Sequence, residues 1–449
     1  MKEGAVESSG GALPAMPGPG RAMARAGWPL MIWGGAALVL LLAPWLLGGA
    51  SGNAYAVTLL SHLCAMTVFA LSYNLLLGQT GLLSFGHAVY AGMGGWVAVR
   101  ALNLAGDGLP LPVSLVPLVG GLGGAVVGLL FGLLTTRRGG TPFAMISLGI
   151  GELMYALAAM FPGWFGGEAG IATNRVVGDP VWGITFGPDI EIYYLTAAWS
   201  LAAALAMYGL TRTPLGRMAS AVRDNAQRVG FIGYDPKRVR CTMLVAAAFF
   251  AGMSGALTAL NVEVVSAESL GSMRSGMVLL AVVIGGSAYF VGPVLGAITV
   301  TLMAMALSRH TPAWQLYLGL GFAATVMFVP GGIAGFAADQ GRQWRERGWR
   351  MLSVPYVLAA SGVLVLVFGT VELVEPLYRE RLRLGQAAPV PDAAAAASGG
   401  WEIGGGMPWW MAVVVMAAGI GMLVLARRFR ARAEGGQDHG SAVSDRRAS

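Results

Sequence analysis

Few side chains in this sequence could do chemistry, and those that could are embedded in apolar runs. His62, His87 and Glu152 are the polar groups deepest in such runs. An ionisable group inside hydrocarbon is costly, so each should face other helices or a wet path. Glu152 could relay protons, contact a substrate ammonium or act as a packing acceptor, the last being the default. It is expected to face the bundle interior with a hydrogen-bond partner, Gly149 and Gly151 leaving room beside it. His87 closes the stretch from Asn74, in which Gly78 and Gly81 interrupt the helical pattern around Gln79-Thr80. Ser84 and His87 share a face at i, i+3, which makes a structural histidine held by a neighbouring hydroxyl the plain reading. Irregular backbone at this depth is tolerable only beside protein or a water-filled cavity. Gln79, Ser84, His87 and Glu152 therefore stand together as the candidate translocation path.

Soluble-enzyme signatures are missing from the sequence. Lysine occurs only at Lys2 and Lys237, neither in a G-x-x-x-x-G-K-[ST] loop, so the chain has no Walker A site for hydrolysing ATP. It contains no H-E-x-x-H, C-x-x-C or G-x-S-x-G pattern. Cys64 and Cys241 form no disulfide framework and have no metal-ligand company. No catalytic, cofactor-binding or metal-binding residue is expected.

The elements that must position these residues are membrane spans. Hydrophobic residues make up 56% of 449 and charged residues 11%, against roughly one-quarter charged in soluble domains. Runs of about 20 apolar residues, enough to cross a hydrocarbon core, recur along the chain. They fall near 28–47, 54–77, 81–100, 112–134, 141–161, 191–210, 241–261, 277–289, 293–308 and 314–330, with two more at 354–373 and 409–426. The expected fold is an all-α polytopic membrane protein with about 10 core transmembrane helices, some of them broken, plus two C-terminal ones. The short 277–289 run, flanked by Gly285-Gly286 and Gly292-Pro293, reads as a half-helix or tight hairpin. Residues 1–27 read as a disordered cytoplasmic tail, 28–340 as the membrane core and 341–449 as an extension with two spans. The net charge of +7 resides in basic clusters at Arg137-Arg138, Arg212–Arg240, Arg342–Arg350 and Arg427–Arg432. Such clusters mark cytoplasmic loops rather than a nucleic-acid surface, which puts both termini inside and the loop 162–190 outside. Gly120, Gly124, Gly128 and Gly132 recur every four residues and are expected to let another helix approach closely.

The loop from Thr211 to Pro236 is the most informative. Thr213-Pro214 starts a helix well, and Gly233 with Pro236 stops it. Leu215, Met218, Ala219 and Val222 give an apolar face to an Arg-rich element suited to a soluble partner or to anionic lipid.

At this loop the chain resembles the branched-chain amino acid permease family of bacterial ABC importers, in its LivM-type subunit. The resemblance rests on Asn74–Gly95, Thr141–Glu152, Pro214–Pro236 and Ser275–Gly296, and on the ending Trp314–Gly335. It implies a permease, not an enzyme, in the bacterial inner membrane. Its implied partners are a second permease subunit, two cytoplasmic ATPase subunits and a periplasmic solute-binding protein. It implies that Arg223, Asp224, Asn225, Gly233 and Tyr234 form the ATPase-coupling loop. Ala226 stands where the family pattern carries Glu, and the variant is similar to permeases for urea or short amides as well as for branched-chain amino acids. The alternative is a proton-coupled secondary transporter using Glu152 and His87, although the two halves show no inverted repeat.

Overall fold

The computed structural model describes residues 19–48, 54–167, 169–176, 185–309, 311, 313–329 and 331–347, and short pieces of the extension at 361–362, 365–374, 411, 414–422 and 424–425. Residues 1–18, Glu168, Asp179, the cluster 427–432 and the loop 386–400 lie outside the described residues.

The elements run α1 (Pro19–Gly48), α2 (Ala54–Thr80), α3 (His87–Gly106), α4 (Val116–Thr135), α5 (Thr141–Met160), the single turn α6 (Pro162–Phe165) and α7 (Asp189–Arg212). They continue with α8 (Pro214–Phe231), α9 (Pro236–Val262), α10 (Ser272–Gly285), α11 (Gly292–Thr301), α12 (Trp314–Phe328) and α13 (Gly332–Arg347). Six helices of the described residues are long and apolar enough to cross a membrane, or seven if the bent pair 314–328 with 332–341, which meets at 46°, is one span. The protein is a multi-pass membrane protein. A departure from all-helical structure is one short antiparallel pairing of β1 (Ile171–Ala172) with β2 (Val264–Val265). It ties the loop after α5 to the C-terminal end of α9, where Arg175 bridges Asp189 at 2.7 Å and Glu263 at 3.5 Å.

Two boundaries differ from the sequence reading. Helix α1 begins at Pro19, so residues 19–27 of the expected tail are helical. Helix α3 starts only at His87, leaving 81–86 irregular, because Gly81 adopts φ +68° and ends α2.

The glycine stripe of α4 lies against α9. A Cβ at Gly120 would stand 2.5 Å from that of Ala256, and one at Gly128 would collide with that of Ala248. The opposite face of α4 presents Leu122, Val126 and Leu130 outward, Val126 at 68% exposure. Contact without a hydrophobic push requires small residues on the protein side, while lipid takes the large ones. Helices α10 and α11 form a tight hairpin in which Cβ atoms at Gly285 and Gly296 would strike the carbonyls of Gly292 and Ala281. Beyond Thr301 the second arm continues as a π segment, Leu302–Ala306.

Candidate functional site

Helix α8 is built by local chemistry. Thr213 caps its start, accepting from the Gly216 amide at 3.4 Å, with Pro214 in the first position. Ala219 and Val222 are buried, and Leu215 and Met218 pack against the same core. The element is two helices rather than one: Asn225 leaves helical geometry at φ −158°, ψ 99°. Its Oδ1 accepts from the amides of Gln227 and Arg228, both at 3.0 Å, and so caps the second piece. Gly233 turns the chain at φ +94°. The tip between Gly230 and Tyr234 is open, with Phe231 90% and Ile232 72% exposed. Sequence reasoning missed Phe231 and Ile232. Their signal was available, two large apolar residues placed off the buried stripe and just before the stop.

The inner face of α8 is fastened to the end of α2. Arg223 Nη1 donates to the Gly78 carbonyl, and Ser220 Oγ donates to Gln79 Oε1 at 2.9 Å. A Cβ at Gly81 would stand 2.8 Å from Arg223 Cγ, so the left-handed turn and the arginine stem share one space. Asp224 faces away, its carboxylate 3.4 Å from Arg223 Nε. Tyr234 is half exposed beside the tip.

The irregular segment 81–86 links α8 to the rest of the bundle. The Phe85 amide donates to Ser147 Oγ of α5 at 3.0 Å, and the Ala88 amide donates to Ser275 Oγ of α10 at 2.9 Å. A Cβ at Gly86 would run into the Ser147 carbonyl. Residues 81–88, the irregular segment with the first turn of α3, therefore touch the loop helix, α5 and the α10–α11 hairpin.

His87 is fully buried. The hydroxyl that holds it is not Ser84 but Ser72 of α2, whose Oγ lies 3.0 Å from Nε2. Ser84 precedes the helix, so i, i+3 spacing does not apply, and its buried hydroxyl has no partner among the described residues. Ser72 already donates its proton to the Phe69 carbonyl at 2.7 Å. It can only accept from the imidazole, which assigns the proton to Nε2 and leaves Nδ1 bare. Phe69 stacks on the ring with centroids 5.5 Å apart, and Tyr73 and Tyr90 meet it edge-on at 5.1 and 5.6 Å.

Glu152 corrects the expectation of an inward carboxylate. It is exposed on the outward side of α5 and makes no hydrogen bond or ion pair among the described residues. The rotation of α5 is set by Phe143, Ala144, Ser147, Gly151 and Ala158, which are buried. One residue beyond Gly151 a helical side chain has turned by about 100°. The four residues suggested as a path thus separate: Gln79 meets α8, Ser84 and His87 sit in the packed junction, and Glu152 looks out of the chain.

Residues 55–331 match the family described as branched-chain amino acid transport system / permease component. The chain belongs to this family. Members are permease components of transport systems, not enzymes. The chain is 26% identical over 289 residues to the high-affinity branched-chain amino acid transport system permease protein LivM of Escherichia coli (strain K12), covering 59% of this chain and 67% of that one. It is 25% identical over 316 residues to the protein of the same name from Salmonella typhimurium (strain LT2), covering 66% of this chain and 70% of the other. No solved structure matches.

Proposed function

We propose that this chain is the permease subunit of an ABC importer of the bacterial inner membrane, with both termini cytoplasmic. It takes up branched-chain amino acids or related small polar solutes such as amides. It works with a second permease subunit, two cytoplasmic ATPase subunits and a periplasmic solute-binding protein. In this reading the core has ten membrane helices, and the extension beyond 340 adds two.

The observation that carries the proposal is the fastening of α8 to Gly78 and Gln79 beneath an exposed tip of Phe231, Ile232 and Tyr234. An apolar tip on an Arg-rich helix suits a cleft in a soluble partner. Motion of that partner would be passed through Arg223 to the Gly81 turn, and from there to Ser147 on α5 and Ser275 on α10. Asn225, Asp224, Gly233 and Tyr234 keep the tip in shape and presented.

A carboxylate on the membrane-facing side of a span is unfavourable against lipid. We place the α5 face with Glu152 against the second permease subunit, where it borders the solute path. The proton-coupled alternative has less support, since His87 spends Nε2 on Ser72 and is enclosed by three rings. Solute accumulation by reconstituted complexes, with and without ATP on the side of α8, tests the proposal.

A further inference from the structure

A cavity of about 260 Å³ lies between α2, α9, α10 and the π segment after α11. It sits beside the middle of α2, away from Gly78 and α8, and shares Phe69 with the surroundings of His87. Its volume falls just below the usual range of ligand pockets, about 300–1,000 Å³, and suits a small solute.

The cavity has one charged side chain, Arg274, in the first turn of α10. Its Nη2 donates to Thr258 Oγ1 at 3.3 Å, and its guanidinium lies over the Phe69 ring at 5.6 Å. Thr258 passes its own proton to the Ser254 carbonyl, so it meets the guanidinium as an uncharged acceptor. No Asp or Glu lines the cavity, and no ion pair joins Arg274 to a carboxylate among the described residues. Arg274 is partly buried, and a guanidinium drawn partly out of water without a counter-ion is unfavourable, which a ring face offsets only in part. Its remaining N–H groups keep the fork that matches a carboxylate. The other walls are mostly apolar: Met66, Met277 and Val300, with Ala304 and Met305 on the π segment, and with His62 and Thr301 as further hydrogen-bonding groups.

We propose that this cavity binds a small aliphatic carboxylate, with the carboxylate on Arg274 and the hydrocarbon against Met66, Met277, Val300 and Ala304. The inference rests on the reading of the chain as a solute permease, and it favours carboxylate-bearing solutes over neutral amides or urea. In the sequence Arg274 is a single arginine just ahead of a short apolar run, and its isolation from acids is visible only in three dimensions.

The test is calorimetric titration of the full transporter complex in nanodiscs, without the external binding protein. Isocaproate should bind saturably, and isocaproamide, which keeps the chain but loses the charge, at least tenfold more weakly. That contrast uses the unaltered protein and depends on no variant folding. Arg274→Gln should weaken isocaproate at least tenfold, with Arg274→Lys recovering part of the loss. Ala304→Leu, which adds bulk to the wall on the π segment and leaves Arg274 in place, should remove binding. Equal affinity for acid and amide, or unchanged binding in Ala304→Leu, overturns the proposal. So does binding of glycerol phosphate in place of isocaproate, which would assign the arginine to a lipid headgroup. The titration needs no ATP, so its failure is distinguishable from failure of ATP-driven uptake.

Discussion

Arg223 and Gly78, 145 residues apart in the chain, are joined by a hydrogen bond from guanidinium to main-chain carbonyl. The acceptor lies in the last turn of α2, where carbonyls have run out of helical partners. The bond therefore satisfies a helix end and anchors α8 at the same time. Replacing Arg223 with Glu places an anion against that carbonyl. A hydrogen bond to a charged group contributes about 1.5–3 kcal/mol, so solute-stimulated ATPase activity and uptake should fall about tenfold or more. Membrane insertion should be unaffected, as read by the yield of extracted protein. Unchanged uptake would remove α8 from the coupling role.

Gly128 lies in the α4–α9 contact, where an added Cβ would collide with that of Ala248. Gly128→Leu should lower stability by about 1–3 kcal/mol through overpacking. Gly149→Leu serves as the control, because a Cβ there meets nothing within 4 Å. Thermal unfolding in detergent should separate the two variants, and equal midpoints would contradict the packing account.

Ser72→Ala leaves the buried Nε2–H of His87 without its acceptor. The expected penalty is about 1–3 kcal/mol of stability. The pH profile of uptake should keep its wild-type shape, because an imidazole enclosed by Phe69, Tyr73 and Tyr90 is not placed to pass protons along a path. A profile that changes shape in this variant would restore His87 as a relay.

Glu152→Gln keeps the size of the side chain and removes its charge. If the α5 face borders the solute path, the concentration for half-maximal uptake should rise several-fold while assembly with the second permease subunit persists. Wild-type kinetics in this variant would leave Glu152 as a packing residue of the subunit contact.

Features encoded by neighbouring residues could be read from the sequence. The Thr213-Pro214 start, the Gly233 stop and the apolar face of Leu215–Val222 are determined within a few residues. The period-four glycines of α4 pointed to a close helix neighbour without naming it, and α9 fills that place. What depended on the third dimension was misplaced or missed. Ser72 lies 15 residues from His87 across a chain reversal, so nearby Ser84 looked like the partner. Ser220 and Gln79 are 141 residues apart, and nothing in either stretch announces the other. The rotation of α5 is fixed by the burial of Phe143 and Ser147, and a depth argument alone could not tell which way Glu152 points.

In the proposed function, ATP consumed by partner subunits drives solute through this chain. Proteoliposomes holding the assembled complex, with binding protein and radiolabelled leucine on one side and ATP on the side of α8, measure this directly. Accumulation should require ATP, persist when a protonophore collapses the proton gradient, and fail when α8 carries Arg223→Glu. Accumulation without ATP that disappears on adding the protonophore would contradict the account.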